Sequence, residues 1–255
     1  MIDSHTHLYF CEPEEVELVD AAAAAGVGRM LNVGVDEATN GTAIAAAERH
    51  QGVFAAVGRH PNGATGFDAV AAAELSRLAA HERVRAIGET GLDFYRDTAA
   101  PEDQRRAFAA QIEVAREVDL PIVIHARDAA GESAAIDEIF ATLDELASGH
   151  TVVLHCFSAP QRVGDAAERG WYCSFAGNLT YPSSEALREA AAKVPADRLL
   201  VETDAPYLTP QEMRRERNQP ANVTATARAL AAVRDVTYED LERTVEANAR
   251  TLFGW

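Results

Sequence analysis

A single (β/α)8 TIM barrel is the fold class this sequence predicts, and three observations predict it. Eight short apolar segments alternate with helix-patterned ones along the whole chain, which argues a parallel sheet with right-handed crossovers. The length of 255 residues suits one such barrel, which takes about 250. Most of the apolar segments also run into His, Glu or Asp at their C-terminal tips, the end where barrels carry their sites. An open doubly wound sheet is the alternative, but no GxGxxG follows the first strand. The repetition is of βα units with no linker, so residues 1–255 read as one domain.

Each element follows in order. Met1 to His7 begins as a strand carrying His5-Thr6-His7, and strand parity puts Asp3, His5 and His7 on one face. Glu14 to Ala25 is an alanine-rich helix closed by Gly26, and Arg29 to Val35 is the second strand. Asp36 is placed to N-cap a helix reaching about His50. Val53 to Gly58 is the third strand and ends in Arg59-His60-Pro61. Phe67, Val70, Ala71, Leu75 and Leu78 then recur at helical spacing.

Val84 to Gly88 is the fourth strand, leading into Glu89-Thr90-Gly91-Leu92-Asp93, with a helix from about Glu102 to Val118 behind it. Pro121 to Ile124 opens the fifth, which ends at His125-Ala126-Arg127. The next helix puts Ile136, Ile139, Phe140, Leu143 and Leu146 on one face. Thr151 to Leu154 is the sixth strand, running into His155-Cys156-Phe157-Ser158, and about Trp171 to Phe175 is the seventh after a short helix. A helix over about Ser184 to Lys193 precedes the eighth, Leu199 to Val201. That strand runs into Glu202-Thr203-Asp204 and stops at Pro206, and alternation aims Glu202 and Asp204 the same way. The connection from Ala205 to Ala221, with three prolines and Arg214-Arg215-Glu216-Arg217, is long enough to expect a function. Two helices close the chain, the last opened by the capping-box pattern Thr237-Tyr238-Glu239-Asp240.

Composition bounds the function. The chain is 47% hydrophobic yet holds no run of about 18 apolar residues, so no membrane span is expected. No signal-peptide pattern is visible, and three cysteines without CxxC spacing suit a reducing cytoplasm. A net charge of −17 argues against a broad electrostatic footprint on DNA. Bound divalent metals and a few local arginines can nevertheless hold phosphates.

A lone His-x-His is usually incidental, and His125 or His155 singly is more often a hydrogen-bonded core residue. Their coincidence at the strand tips changes the weight, because several unpaired polar groups buried in one barrel mouth would cost several kcal/mol. His5, His7, His60, Glu89, His125, His155 and Asp204 together supply the imidazole and carboxylate donors that suit Zn²⁺, or Mn²⁺ and Mg²⁺. Two neighbouring ions need a bridging carboxylate, and Glu89, from the middle of the barrel, is the candidate. His50, His81 and His150 read as solvated, and Cys156 and Cys173 as small core residues.

On these residues the chain resembles the TatD family of metal-dependent hydrolases, TIM barrels known mainly as deoxyribonucleases. The likeness runs through Asp3-Ser4-His5-Thr6-His7, Gly58-Arg59-His60-Pro61, Gly88-Glu89-Thr90-Gly91-Leu92-Asp93 and Ile124-His125-Ala126-Arg127. It continues through His155-Cys156-Phe157-Ser158, Glu202-Thr203-Asp204-Ala205-Pro206-Tyr207-Leu208 and Arg217-Asn218-Gln219-Pro220-Ala221-Asn222-Val223. The resemblance implies His5, His7, Glu89, His125, His155 and Asp204 as ligands of two divalent metal ions (Mg, Mn or Zn), or of three. It puts His60 and Glu202 near the site; Glu89 and Asp204 are expected in catalysis, and Arg59 and Arg127 as donors that position the substrate. Ala159, where relatives usually carry Gly, and Arg59, where they are often apolar, bear on the width and charge of the cleft.

The implied reaction is phosphodiester hydrolysis by a metal-activated water, with Asp204 as general base. The expected substrate is DNA, cut as a 3′-to-5′ exonuclease at single-stranded or 3′ ends. Arg59, Arg96, Arg127 and the Arg214 to Arg217 run are candidate phosphate donors, the last equally readable as a solvated loop. Tyr95, Phe157 or Tyr207 could stack a terminal base. Two rivals use the same centre: an amidohydrolase-like enzyme acting on an amide, ester or lactone, and a metal-binding protein without turnover. Lys193, the only lysine, falls on a helix and cannot serve as a carbamylated bridge on a strand, which favours the nuclease-type site.

Overall fold

Parallel strands cannot be joined by tight turns, so each must be followed by a crossover that covers the sheet. The computed structural model, which describes residues 1–96 and 98–255, meets this with eight strands and the helices between them. The strands are β1 (Ile2–Thr6), β2 (Arg29–Val33), β3 (Val53–Val57), β4 (Val84–Asp93), β5 (Ile122–Arg127), β6 (Val152–Leu154), β7 (Tyr172–Phe175) and β8 (Leu199–Val201). They pair in parallel, in sequence order, around a nearly closed barrel. The helices are α1 (Glu15–Ala24), α2 (Glu37–Arg49), α3 (Ala69–Ala79), α4 (Pro101–Glu117), α5 (Ala134–Leu146), α6 (Val163–Glu168), α7 (Glu185–Lys193), α8 (Val223–Val233) and α9 (Tyr238–Phe253).

Side-chain caps set several helix starts. Asp36 accepts from Thr39 N at 2.8 Å and Thr39 Oγ1 accepts in return from Asp36 N, a reciprocal box at the head of α2. Asp68 accepts from Val70 and Ala71 N at the head of α3, and Thr237 from Asp240 N at the head of α9. Among the described residues no helix is long and apolar enough to cross a membrane.

The seam between β8 and β1 is the barrel's thinnest ladder. It consists of one parallel bridge, Thr6 with Ala205, flanked by Asp204 N to His5 O and His7 N to Ala205 O, both 2.9 Å. Side chains reinforce it. Ser4 Oγ donates to Val201 O at 3.0 Å and shares a hydrogen bond with Ser174 Oγ at 2.8 Å. The carboxylate of Asp3 accepts from Thr203 N at 2.9 Å and from Thr203 Oγ1 at 2.6 Å.

Four expectations need correction. The fourth strand does not stop at Gly88 but runs ten residues to Asp93, with a register shift between Ile87 and Thr90 that carries Glu89 inside it. Val70 is 76% exposed rather than on the apolar face, because the Asp68 cap places it in the outward-facing first turn. Glu202 and Asp204 do not share a strand face, since β8 ends at Val201 and Asp204 sits at a left-handed φ of 52°. His50, His81 and His150 are half-buried rather than solvated, held by Glu15, Glu48 and the Leu120 carbonyl respectively.

Gly91 marks where the extended β4 presses on β5. Its φ is +140°, and a Cβ there would lie 2.1 Å from the His125 carbonyl oxygen. Gly91→Ala is therefore expected to cost about 2–5 kcal/mol in urea denaturation, combining backbone strain with overpacking. A midpoint equal to the wild type would contradict this close approach.

Candidate active site

Glu89 projects from β4 into a ring of imidazoles and is only 3% exposed. Its two oxygens face different partners. Oε2 lies 3.2 Å from His5 Nε2 and 3.6 Å from His7 Nε2. Oε1 lies 2.8 Å from His125 Nδ1 and 3.3 Å from both His155 Nε2 and His60 Nε2. The His5 and His155 rings stack with centroids 3.8 Å apart, and Asp204 Oδ1 stands 3.5 Å from His7 Nε2. Among the described residues, donor atoms close enough to share one ion occur in four sets: His5, His7 and Glu89; Glu89, His125 and His155; His60, Asp93 and His125; His5, His155 and Glu202.

Partners behind the rings fix which nitrogen faces the cavity. His7 Nδ1 is 2.8 Å from the Val33 carbonyl, which can only accept, so the neutral ring keeps its Nε2 lone pair for the site. His155 Nδ1 lies 3.0 Å from Glu202 Oε1, which also accepts from Cys156 N at 2.7 Å. His60 is the reverse case. Its Nδ1 accepts from Asn62 N at 3.0 Å, so the neutral ring carries its proton on Nε2.

The electrostatics follow from crowding. Burial, then the charge of His155, pushes His5 down to about 3. Burial also opposes charge on His155, but Glu202 and Glu89 outweigh it and hold that ring well above the usual histidine range. His7 and His125 are raised in the same way against burial, by Asp204 with Glu89 and by Asp93 with Glu89. His60 is lowered by burial and by His125. Glu89 stays well below its ordinary value because the surrounding histidines overcome its desolvation.

These groups meet at the C-terminal mouth of the barrel, where a cavity of about 720 Å³ opens. His7, His60, Glu89, His125, His155 and Asp204 line it, with Arg96 and Arg127 also on its wall, and fully buried His5 lies beneath. Other expected residues are elsewhere. Arg59 does not line the cavity; it pairs with Glu37 and donates to Gly63 O. Glu202 is fully buried behind His155, so a direct place beside substrate is closed to it. In the arginine run, Arg214 packs over Tyr181 and Arg217 pairs with Glu12, and the run stays off the cavity wall. Phe157 is buried and cannot stack a base. Cys173 is in the core as expected, whereas Cys156 opens onto the cavity at a φ of 43°.

Sequence reasoning passed over Asp93. Its Oδ2 lies 3.2 Å from His125 Nε2, and its carboxyl falls to about 2 because the His125 hydrogen bond and charge exceed the cost of its burial. The signal was the even spacing from Glu89, legible only if the strand is taken to continue. The half-exposed Phe10 on the cavity wall was also passed over as a site residue.

Comparison with known proteins places this geometry. The family model described as TatD related DNase matches residues 2–254. An uncharacterized metal-dependent hydrolase TatD of Mycobacterium tuberculosis is 38% identical, over 100% of this chain and 98% of that protein. A 3′-5′ ssDNA/RNA exonuclease TatD of Cronobacter sakazakii is 37% identical, over 93% of this chain and 90% of that one. Among solved structures, the TatD homologue YJJV of Escherichia coli K12 has a TM-score of 0.90 at 27% identity, covering 100% and 98% of the two chains.

Asp3 yields a test of the site's floor. Burial raises its carboxyl to about 8, against the bonds from Thr203 and His5. The folded state then keeps a proton that the unfolded chain releases, so this group's contribution to stability falls as pH rises from the ordinary 3.8 to about 8. Asp3→Asn keeps the shape and stays neutral. Calorimetry of the metal-free protein should find the variant melting higher than wild type near pH 8, with the gap closing towards about pH 4. A gap that widens on acidification would reverse this sign.

Proposed function

The chain belongs to the TatD related DNase family, and we propose that it is a metal-dependent deoxyribonuclease trimming single-stranded DNA from 3′ ends. The observation that carries this reading is the split address of Glu89, one oxygen towards His5 and His7 and the other towards His125 and His155. That is the posture of a carboxylate bridging two cations. The relative named a 3′-5′ ssDNA/RNA exonuclease supports the choice of substrate.

The residues fit divalent metal. Imidazole and carboxylate donors converge from five strands, and the donor atoms of His5, His7 and Glu89, and again of Glu89, His125 and His155, lie close enough to share an ion. His5, His7, Glu89 Oε2 and Asp204 would hold one ion, and Glu89 Oε1, His125 and His155 the other. The proton on His60 Nε2 counts against a third ion in the set it shares with Asp93 and His125. When bound, the metals supply Lewis acidity and a water that ionises near neutral pH.

The protein's own groups do the rest. Asp204 reaches the cavity from its left-handed backbone and accepts the attacking water's proton as general base. His60, Arg96 and Arg127 line the same cavity and would supply N–H donors to phosphate oxygens. Glu202 takes a positioning role in place of the substrate contact expected of it. It holds His155 by Nδ1 so that Nε2 points inward. The closed geometry of a barrel mouth admits a strand end more readily than the middle of a duplex.

Three outcomes test this. Chelation should abolish cleavage of end-labelled single-stranded DNA and Mg²⁺ or Mn²⁺ should restore it, with mononucleotides released from 3′ ends. Amide, ester and lactone substrates are assayed alongside; turnover of these with DNA left intact, or rapid cutting of closed circular DNA, would sink the reading. Asp204→Asn should lower turnover on the order of a hundredfold while the metal-free variant melts at or above the wild-type temperature. Finally, protons on His7, His125 and His155 compete with metal, so metal affinity should rise with pH and binding should release protons, both readable by calorimetry in buffers of different ionisation enthalpy.

A further inference from the structure

Large exposed apolar side chains among the described residues are Phe10, Val16, Val70, Tyr95, Tyr207 and Val236. The three valines lie apart, on or beside α1, α3 and α9. The three aromatics all follow strand ends on the site's side of the barrel: Phe10 after β1, Tyr95 after β4 and Tyr207 after β8. Scattered surface apolar residues need no explanation, but aromatic faces gathered at the rim of a polar cavity do.

The three are not equivalent. The Arg127 guanidinium lies 4.2 Å over the Tyr95 ring, so that ring is occupied in holding the arginine at the rim. Phe10 and Tyr207 line the cavity itself and are 45% and 53% exposed. Their ring centroids stand 5.9 Å and 6.3 Å from the ring of His7. Both are presented by anchored chain. Phe10 packs edge-on against Tyr9 at 4.4 Å, and the Tyr9 hydroxyl donates to Val33 O at 2.6 Å. Tyr207 N donates to Asp204 O at 2.8 Å, and Asn218 Nδ2 donates to its carbonyl. Rigid aromatic faces lose little freedom when a flat partner settles on them.

We propose that Phe10 and Tyr207 form a stacking subsite for the base of the 3′-terminal nucleotide, whose phosphate would lie beside the ion that the adjoining His7 and Asp204 would hold. This rests on the nuclease reading above and adds what the enzyme grips. A nucleotide carries a π-face one sugar away from its phosphate, and the protein sets two aromatic faces beside the ring of a proposed metal ligand. Because every base has such a face, the subsite tolerates any sequence but not a missing base. It also gives a chain of net charge −17 a means of holding DNA without a basic surface.

The test uses the metal-loaded protein and a short oligonucleotide ending in 2-aminopurine, with its last linkage a phosphorothioate to slow cleavage. Stacking quenches this base, so fluorescence should fall on binding to the wild type and to Phe10→Tyr or Tyr207→Phe, but not to Phe10→Ala or Tyr207→Ala. In parallel, kcat/KM for an unmodified 3′ end should exceed that for an abasic 3′ end on the order of tenfold. The two alanine variants should bring the ratio close to one. Binding without quenching, or an equal loss on both substrates in the alanine variants, would overturn the subsite while leaving the nuclease reading standing. Failure to bind or cleave either oligonucleotide would overturn both.

Discussion

The burial of Glu89 is the constraint on which the rest of the site depends. A carboxylate taken out of water is costly unless charge and hydrogen bonds compensate it. Here the compensation comes from imidazoles delivered by β1, β3, β5 and β6, or by the residues just beyond them, so the acid ties four strands to a fifth. Those rings are themselves steadied from behind by the Val33 carbonyl, Glu202 and Asp93. Such outer partners set ring orientation and tautomer, which decides whether a nitrogen offers a lone pair or a proton to the cavity.

Closure of the barrel and the placement of Asp204 are one problem. With a single bridge between β8 and β1, the seam leans on side chains, chiefly the bonds that Thr203 donates to Asp3. Thr203 immediately precedes the left-handed residue that aims Asp204 at His7. A weak ladder is therefore useful here. Strand pairing continued through 202–204 would have kept Asp204 on the pleat and out of the position it takes.

Charge is distributed with the same economy. The chain as a whole is acidic, yet Arg96 and Arg127 stand on the cavity wall and Tyr95 braces one of them. On the proposed nuclease reading, phosphate recognition would be local, confined to a mouth where bound metal would supply positive charge. Arg59, Arg214 and Arg217, which look like further donors on paper, are instead engaged with Glu37, Tyr181 and Glu12 respectively on the flanks.

The barrel was legible because strand and helix periodicities are local properties, and eight alternations leave few topologies. The convergence of His5, His7, His60, Glu89, His125, His155 and Asp204 was legible for a related reason: strand tips of a barrel must meet at one end. What local pattern could not supply was direction beyond the last paired residue. Asp93 was missed because β4 continues through a register shift, and Glu202 and Asp204 part company because a positive φ ends the alternation. Arg59 turns away because its guanidinium pairs with Glu37 at the head of α2, and Phe10 turns in beside the ring of His7. Sequence by itself determined which chemistry gathers at the mouth; only the packed structure decided which side chains touch the cavity, because that depends on contacts between residues distant in sequence.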